Sequence, residues 1–221
     1  MITAGAVLFD LDGTLIDSTP AVVRSWTQWA IEYQVPRERF VGFHLHGRPA
    51  TEIVAHLLAD AALTSDQLDK AVRRIVEIES SDTDGVVTFP GVAPLLEALP
   101  SDRWAIVTSA TRAIAEVRTK AAGITPPALI TSDDVRRGKP DPEPFLIGAH
   151  RLTVPPGDCL VVEDAPIGLM AARAAGMRTL AVLTTHTEAE LSPWADVVVR
   201  SLTDVRVEPA AEGVTLHITS A

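Results

Sequence analysis

The most constraining feature of this chain is an isolated apolar run near its start. Ala6-Val7-Leu8-Phe9 stops abruptly at Asp10, and the next run of the same kind, Trp104-Ala105-Ile106-Val107, comes far along the chain. A short run that is apolar at every position reads as a strand buried on both faces, as in a parallel sheet covered by helices on both sides. Alone it has nothing to pair with. It must be completed by strands that arrive late, so whatever lies between is an insertion.

That intervening stretch has a different period. Val22, Trp26, Trp29, Ala30 and Tyr33 recur at helical spacing, as do Ile53, Val54, Leu57 and Leu58, and then Leu68, Val72, Ile75, Val76 and Glu79. No strand-like run interrupts them, which predicts three or four helices. Asp17 and Ser18 read as caps of the first, with Pro20 in its first turn. Asp84-Gly85 and Pro90-Gly91 mark the return. Strands are then expected at 104–108, 128–131, 159–162, 179–183 and 195–199, and helices at 113–122, 142–152 and 166–175, with Gly123 and Gly176 closing two of these helices. Such alternation predicts an α/β fold: a parallel-sheet, Rossmann-like core with helices on both faces, plus an inserted α-helical bundle. The expected division is 1–18 and 87–221 for the core and 19–86 for the insertion. A terminal hairpin is expected at about 204–218, turning at Ala211-Glu212-Gly213.

Charge and cysteine content narrow the partners. The chain carries 29 acidic against 19 basic residues, a net −10, which argues against nucleic acid and anionic membrane surfaces. The single cysteine, Cys159, permits no internal disulfide or cysteine-rich zinc site and reads as an inert core residue. No run resembles a signal peptide or has bilayer-spanning length, so a cytoplasmic protein, a monomer or weak dimer, is expected.

In open parallel sheets ligands bind beyond the carboxyl ends of the strands. Those positions hold Asp10 and Asp12, then Thr108 and Ser109, then Glu163 and Asp164, with Lys139 before the helix at 142–152. Carboxylates without thiols or a histidine pair suit a hard cation, Mg²⁺ by preference. An ammonium and two hydroxyls suit phosphoryl oxygens. A carboxylate can attack phosphorus, and a second one two residues on can protonate the leaving oxygen and later activate water.

Asp10-Leu11-Asp12-Gly13-Thr14-Leu15-Ile16-Asp17-Ser18 resembles the signature of the haloacid-dehalogenase superfamily of phosphohydrolases. Val107-Thr108-Ser109-Ala110, Gly138-Lys139-Pro140-Asp141-Pro142 and Val161-Val162-Glu163-Asp164 are similar to its second, third and fourth motifs, in order. The resemblance implies that Asp10 is the nucleophile and a metal ligand, and that Asp12 is the general acid/base with its carbonyl on the metal. It implies that Thr108, with the Ser109 amide, holds the phosphoryl group, and that Lys139 bridges nucleophile and phosphate. Asp164 completes the Mg²⁺ shell, with Glu163 beside or behind it. Gly13, Thr14 and Ala110 are expected near the substrate, and the helical insertion is expected to be a mobile cap.

Asp12 speaks against the dehalogenase branch, which lacks that residue. Lys70, the insertion's one lysine, lies far along its last helical stretch, against the Schiff-base phosphonate branch. The absence of histidine among residues 19–24 and the presence of Thr14 favour hydrolysis over the β-phosphoglucomutase branch. Ser18-Thr19-Pro20-Ala21-Val22 and His46-Gly47-Arg48 resemble the sugar-phosphatase subgroup, which holds hexitol, 2-deoxyglucose-6-phosphate and glycerol-3-phosphate phosphatases. This makes His46, Gly47 and Arg48 candidates for substrate binding from a loop of the insertion, with Glu79 a weaker one. The expected activity is a Mg²⁺-dependent phosphatase of small sugar or polyol phosphates. A mutase-like isomerase, a phosphoglycolate or glycerol-3-phosphate phosphatase, and a non-catalytic regulator stand as alternatives.

Overall fold

Ala6-Val7-Leu8-Phe9 lies at the centre of a sheet, with every residue of the run fully buried. A computed structural model describes residues 1–41, 48–61, 63–210 and 213–219 of the chain. In chain order the elements are β1 (Ile2–Ala4), β2 (Ala6–Phe9), β3 (Ile16–Asp17), α1 (Thr19–Glu32), α2 (Ala50–Leu57), α3 (Ser65–Ser81), β4 (Val87–Thr88), α4 (Val92–Glu97), β5 (Trp104–Val107) and α5 (Arg112–Ala121). They continue with β6 (Leu129–Ile130), α6 (Glu143–Arg151), β7 (Cys159–Glu163), α7 (Pro166–Ala174), β8 (Arg178–Val182), α8 (Glu188–Leu191), β9 (Val197–Val199), β10 (Val205–Ala210) and β11 (Gly213–Ile218).

Six strands form one parallel sheet in the order β6-β5-β2-β7-β8-β9. The alternating pleat splits each strand between two apolar clusters. Val7, Phe9, Ile106, Leu160 and Val162 face one side together with Leu95 of α4 and Ala115 of α5. Ala6, Leu8, Ala105, Val107 and Val161 face the other, with Phe145 and Ala149 of α6 and Ala171 and Ala172 of α7. Cys159 is buried in this second cluster, and burial pushes its thiol up to about 11, so it stays protonated.

The terminal hairpin β10–β11 forms, and β1 joins it to make a three-stranded antiparallel sheet whose Val205, Val207, Val214 and Leu216 pack on the first cluster. β1 was not expected, because its three residues carry no apolar pattern and its partner is at the far end of the chain. Helix α4 and the two-residue β3–β4 ladder were likewise not expected. The ladder lies where the chain leaves the sheet and where it returns.

Helices α1, α2 and α3 enclose a separate apolar cluster around Trp26, Trp29, Ile53, Val54, Leu57 and Ile75. Trp29 is fully buried, donates its indole N–H to the Ala71 carbonyl at 2.9 Å and stacks on Tyr33. Thr64 and Gln67 cap α3 reciprocally. Its C-terminal half packs beside α5, which brings the helices over the carboxyl ends of β2 and β5. No helix among the described residues is long and apolar enough to cross a membrane.

Candidate active site

β2 ends at Phe9 and delivers Asp10, whose backbone N–H donates to the Val162 carbonyl at 3.0 Å. β5 delivers Thr108 in the same way, and β7 delivers Glu163 and Asp164. Each strand of a parallel sheet ends on the same side, so these polar groups meet without any strand having to tolerate one internally.

Lys139 ties the cluster together. Its ammonium, 3% exposed, donates to Asp10 Oδ1 at 2.6 Å, Glu163 Oε1 at 2.7 Å and the Val107 carbonyl at 3.0 Å. Those three bonds use all its protons. Burial opposes the charge, but Asp10 and Glu163 outweigh it and keep Lys139 protonated. Glu163 is equally committed: its other oxygen accepts from the backbone N–H groups of Asp164 and Ala165, both at 2.9 Å. Gly168 makes room for it, since a Cβ there would stand 1.7 Å from Glu163 Oε1.

Asp164 is clamped by hydroxyls. Thr14 donates to its Oδ1 at 2.8 Å and Thr185 to its Oδ2. Thr14, expected among the substrate contacts, is instead fully buried and directed at Asp164. Gly13 likewise backs Asp164, at φ +92° and with no space for a Cβ. Ser18, expected as a helix cap, gives its hydroxyl to Asp12 Oδ1 at 2.6 Å. A carboxylate accepts the shorter, charge-assisted bond. Asp17 accepts from the Thr19 N–H at 3.0 Å.

Oxygens of Asp10, Glu163 and Asp164 lie within 4.8 Å of one another. Burial lifts the Asp10 carboxyl well above its usual range against the pull of Lys139, with Glu163 and Asp164 adding to the rise. Burial and Glu163 push Asp164 up to about 7. Three buried carboxylates against one ammonium leave an excess of negative charge that a hard, oxygen-seeking divalent cation would neutralise. The donor set therefore fits such a cation, with Asp10 and Asp164 presenting carboxylates and Glu163 already occupied by Lys139 and the backbone.

A cavity of about 70 Å³ opens between this cluster and the helices. Asp10, Asp12, Thr108, Ser109 and Ala110 line its sheet side, and Trp26, Arg48 and Glu79 line its helical side. The Thr108 hydroxyl accepts from the Ala110 N–H at 3.1 Å. Arg48 also pairs with Glu52 one turn on. His46 and Gly47 lie outside the described residues.

Two groups escaped the sequence reading. Arg118 of α5, 4% exposed, donates to Asp12 Oδ1 at 2.9 Å and to Glu79 Oε1 at 3.1 Å. Its signal was present, because it falls on the buried stripe of Ile114 and Ala115 where only an apolar residue is expected. Thr184 and Thr185 follow β8, and their hydroxyls reach the Gly13 carbonyl and Asp164. The strand-end rule, extended one strand further, finds them.

A model of haloacid dehalogenase-like hydrolases matches residues 4–176. Hexitol phosphatase A of Escherichia coli K12 is 37% identical over 209 residues, 93% of this chain and 95% of its own. Validoxylamine A 7'-phosphate phosphatase of Streptomyces hygroscopicus is 38% identical over 204 residues, 90% and 94% of the two chains. A hydrolase from Pseudomonas syringae superposes with a TM-score of 0.80 at 27% identity, over 91% of this chain and 95% of its own.

Proposed function

The chain belongs to the haloacid dehalogenase-like hydrolases, and from that membership we propose that it is a Mg²⁺-dependent phosphatase of small sugar or polyol phosphates. The observation that carries the reading is the buried cluster that joins Asp10, Lys139, Glu163 and Asp164, with Asp10 and Asp12 facing one small cavity. Hexitol phosphatase A carries the name of a phosphatase of sugar alcohols, which supports that substrate class.

Asp10 attacks phosphorus and forms an aspartyl-phosphate. Asp12 gives a proton to the departing alkoxide and then takes one from the water that hydrolyses the intermediate. Thr108 and the Ser109 amide hold phosphoryl oxygens. Lys139 fixes and polarises Asp10, and Glu163 fixes Lys139. Asp10, Asp164 and the Asp12 carbonyl would hold a divalent cation, which would neutralise negative charge at the site. Residues 1–18 and 87–221 form the catalytic core, and residues 19–86 a cap that excludes water and chooses the substrate. The separate apolar cluster of α1–α3 and the β3–β4 ladder at its root support that division.

The test is phosphate release over a panel of hexose, pentose, hexitol and glycerol phosphates, phosphoglycolate and nucleotides, with and without EDTA. Turnover of sugar or polyol esters that stops with EDTA is expected. A chain that acts only on phosphoglycolate or nucleotides, or converts β-glucose 1-phosphate to glucose 6-phosphate without free phosphate, overturns the reading.

A further inference from the structure

Asp12 is held in an unusual way. Both of its hydrogen bonds fall on one oxygen, Oδ1, from the Ser18 hydroxyl at 2.6 Å and the Arg118 guanidinium at 2.9 Å. Its Oδ2 carries no hydrogen bond from any described residue, and Asp12 lines the cavity. Both anchors lead to the helices. Ser18 stands at the head of α1, and the second nitrogen of Arg118 goes to Glu79 of α3 at 3.1 Å.

The array is costly as a structural device. It places two carboxylates against one guanidinium. Arg118 and Glu79 are nearly fully buried, and Arg118 Nε has no partner among the described residues. Burial pushes the Glu79 carboxyl up in spite of Arg118. Buried ion pairs of this kind seldom stabilise more than a well-packed apolar group would. Their retention at a cavity wall calls for a role.

We propose that Arg118 is the positioning residue for Asp12, and that Glu79 makes this positioning depend on the helices being seated over the sheet. This rests on the phosphatase reading. A guanidinium facing a lone carboxylate closes on it with two nitrogens and occupies both oxygens. Glu79 takes one of those nitrogens, so Arg118 grips Asp12 by Oδ1 alone and Oδ2 stays available. From Oδ2 the proton passes to the leaving oxygen, as the phosphorus–oxygen bond breaks with its electron pair on that oxygen and Asp10 forms the new bond to phosphorus. When the helices lift, Glu79 leaves with them. Arg118 then closes on both oxygens and Asp12 is silenced until the next substrate seats the helices.

The role separates from a merely structural one by leaving group. Single-turnover cleavage, with enzyme in excess, Mg²⁺ present and intact substrate read after quenching, compares two phosphate compounds. One is the alkyl phosphate that the unmodified protein cleaves fastest in the panel above. The other is acetyl phosphate, whose leaving acetate needs no proton. Arg118→Lys is expected to slow the alkyl ester on the order of a hundredfold and acetyl phosphate less than about threefold. Glu79→Gln, the milder change, is expected to slow the alkyl ester by about tenfold with the same selectivity. It carries the test if Arg118→Lys does not fold. Equal slowing of both substrates, or of neither, overturns the proposal. A wild-type chain that cleaves neither substrate overturns the phosphatase reading instead.

Discussion

The two walls of the cavity are built differently. The sheet wall is a lattice of buried, charge-assisted bonds in which each member has a stated partner: Lys139 on Asp10 and Glu163, Thr14 and Thr185 on Asp164. The helical wall offers few such bonds. Trp26 supplies apolar surface, and Arg48, half exposed, pairs with Glu52 across one helical turn. Groups locked by burial can be aimed within fractions of an ångström at a reacting atom, whereas exposed groups can follow ligands of different shape. The sheet wall is thus suited to one chemistry, and the exposed Arg48 of the helical wall to following substrates of different shape.

The largest expected effect falls on the sheet wall. Asp10→Asn keeps the shape but removes the proposed nucleophile, and should lower kcat by about 10⁴-fold or more in phosphate-release assays. Residual hydrolysis near the wild-type rate in a clean preparation would leave the sheet wall without its assigned chemistry. Next comes Gly168→Ala, which forces Glu163 off Lys139. Breaking a buried pair costs about 3–5 kcal/mol. The expected outcome is a marked fall in denaturant midpoint together with lost turnover, and a variant of unchanged stability would mean that Glu163 can be accommodated elsewhere.

The walls also differed in how far they could be read from sequence. Strand ends announce themselves, because an apolar run that stops at a carboxylate or hydroxyl is visible without any partner. Asp10, Thr108, Glu163 and Asp164 are legible for that reason, and so is the sheet that gathers them. Lys139 precedes a helix and was found through its motif. Arg118 was missed because a charged residue inside a helix reads as solvated surface unless the helix's buried stripe is traced first. Thr14 and Ser18 were placed correctly in the chain but assigned the wrong partner. A hydroxyl's direction depends on contacts from elements far away in sequence, Asp164 for Thr14 and the turn at Asp12 for Ser18.

A smaller effect on the sheet wall comes through protons. Asp164, pushed up to about 7 by burial and Glu163, binds its proton more tightly folded than unfolded. Its contribution to metal-free stability is therefore present at acid pH and lost as pH rises from about 4 through about 7. The proposed cation would replace that proton. The rise in Tm caused by saturating Mg²⁺ should be about 5 °C or more near pH 8 and shrink towards pH 6. A shift that grows as pH falls would place the cation away from Asp164.

The helical wall should answer in another quantity. Arg48 is partly exposed and lines the cavity. A substrate hydroxyl or charge can reach it in the ground state and the transition state alike. Arg48→Ala should then raise KM by about tenfold, the equivalent of one charge-assisted hydrogen bond, while kcat stays within about twofold. The increase should vary from one sugar or polyol phosphate to another, because the contact reads the part of the substrate remote from phosphorus. Arg48→Lys should recover part of it, as a point charge lacking the planar fork. If kcat falls instead and KM holds, Arg48 shares in the chemical step and does not merely read the substrate.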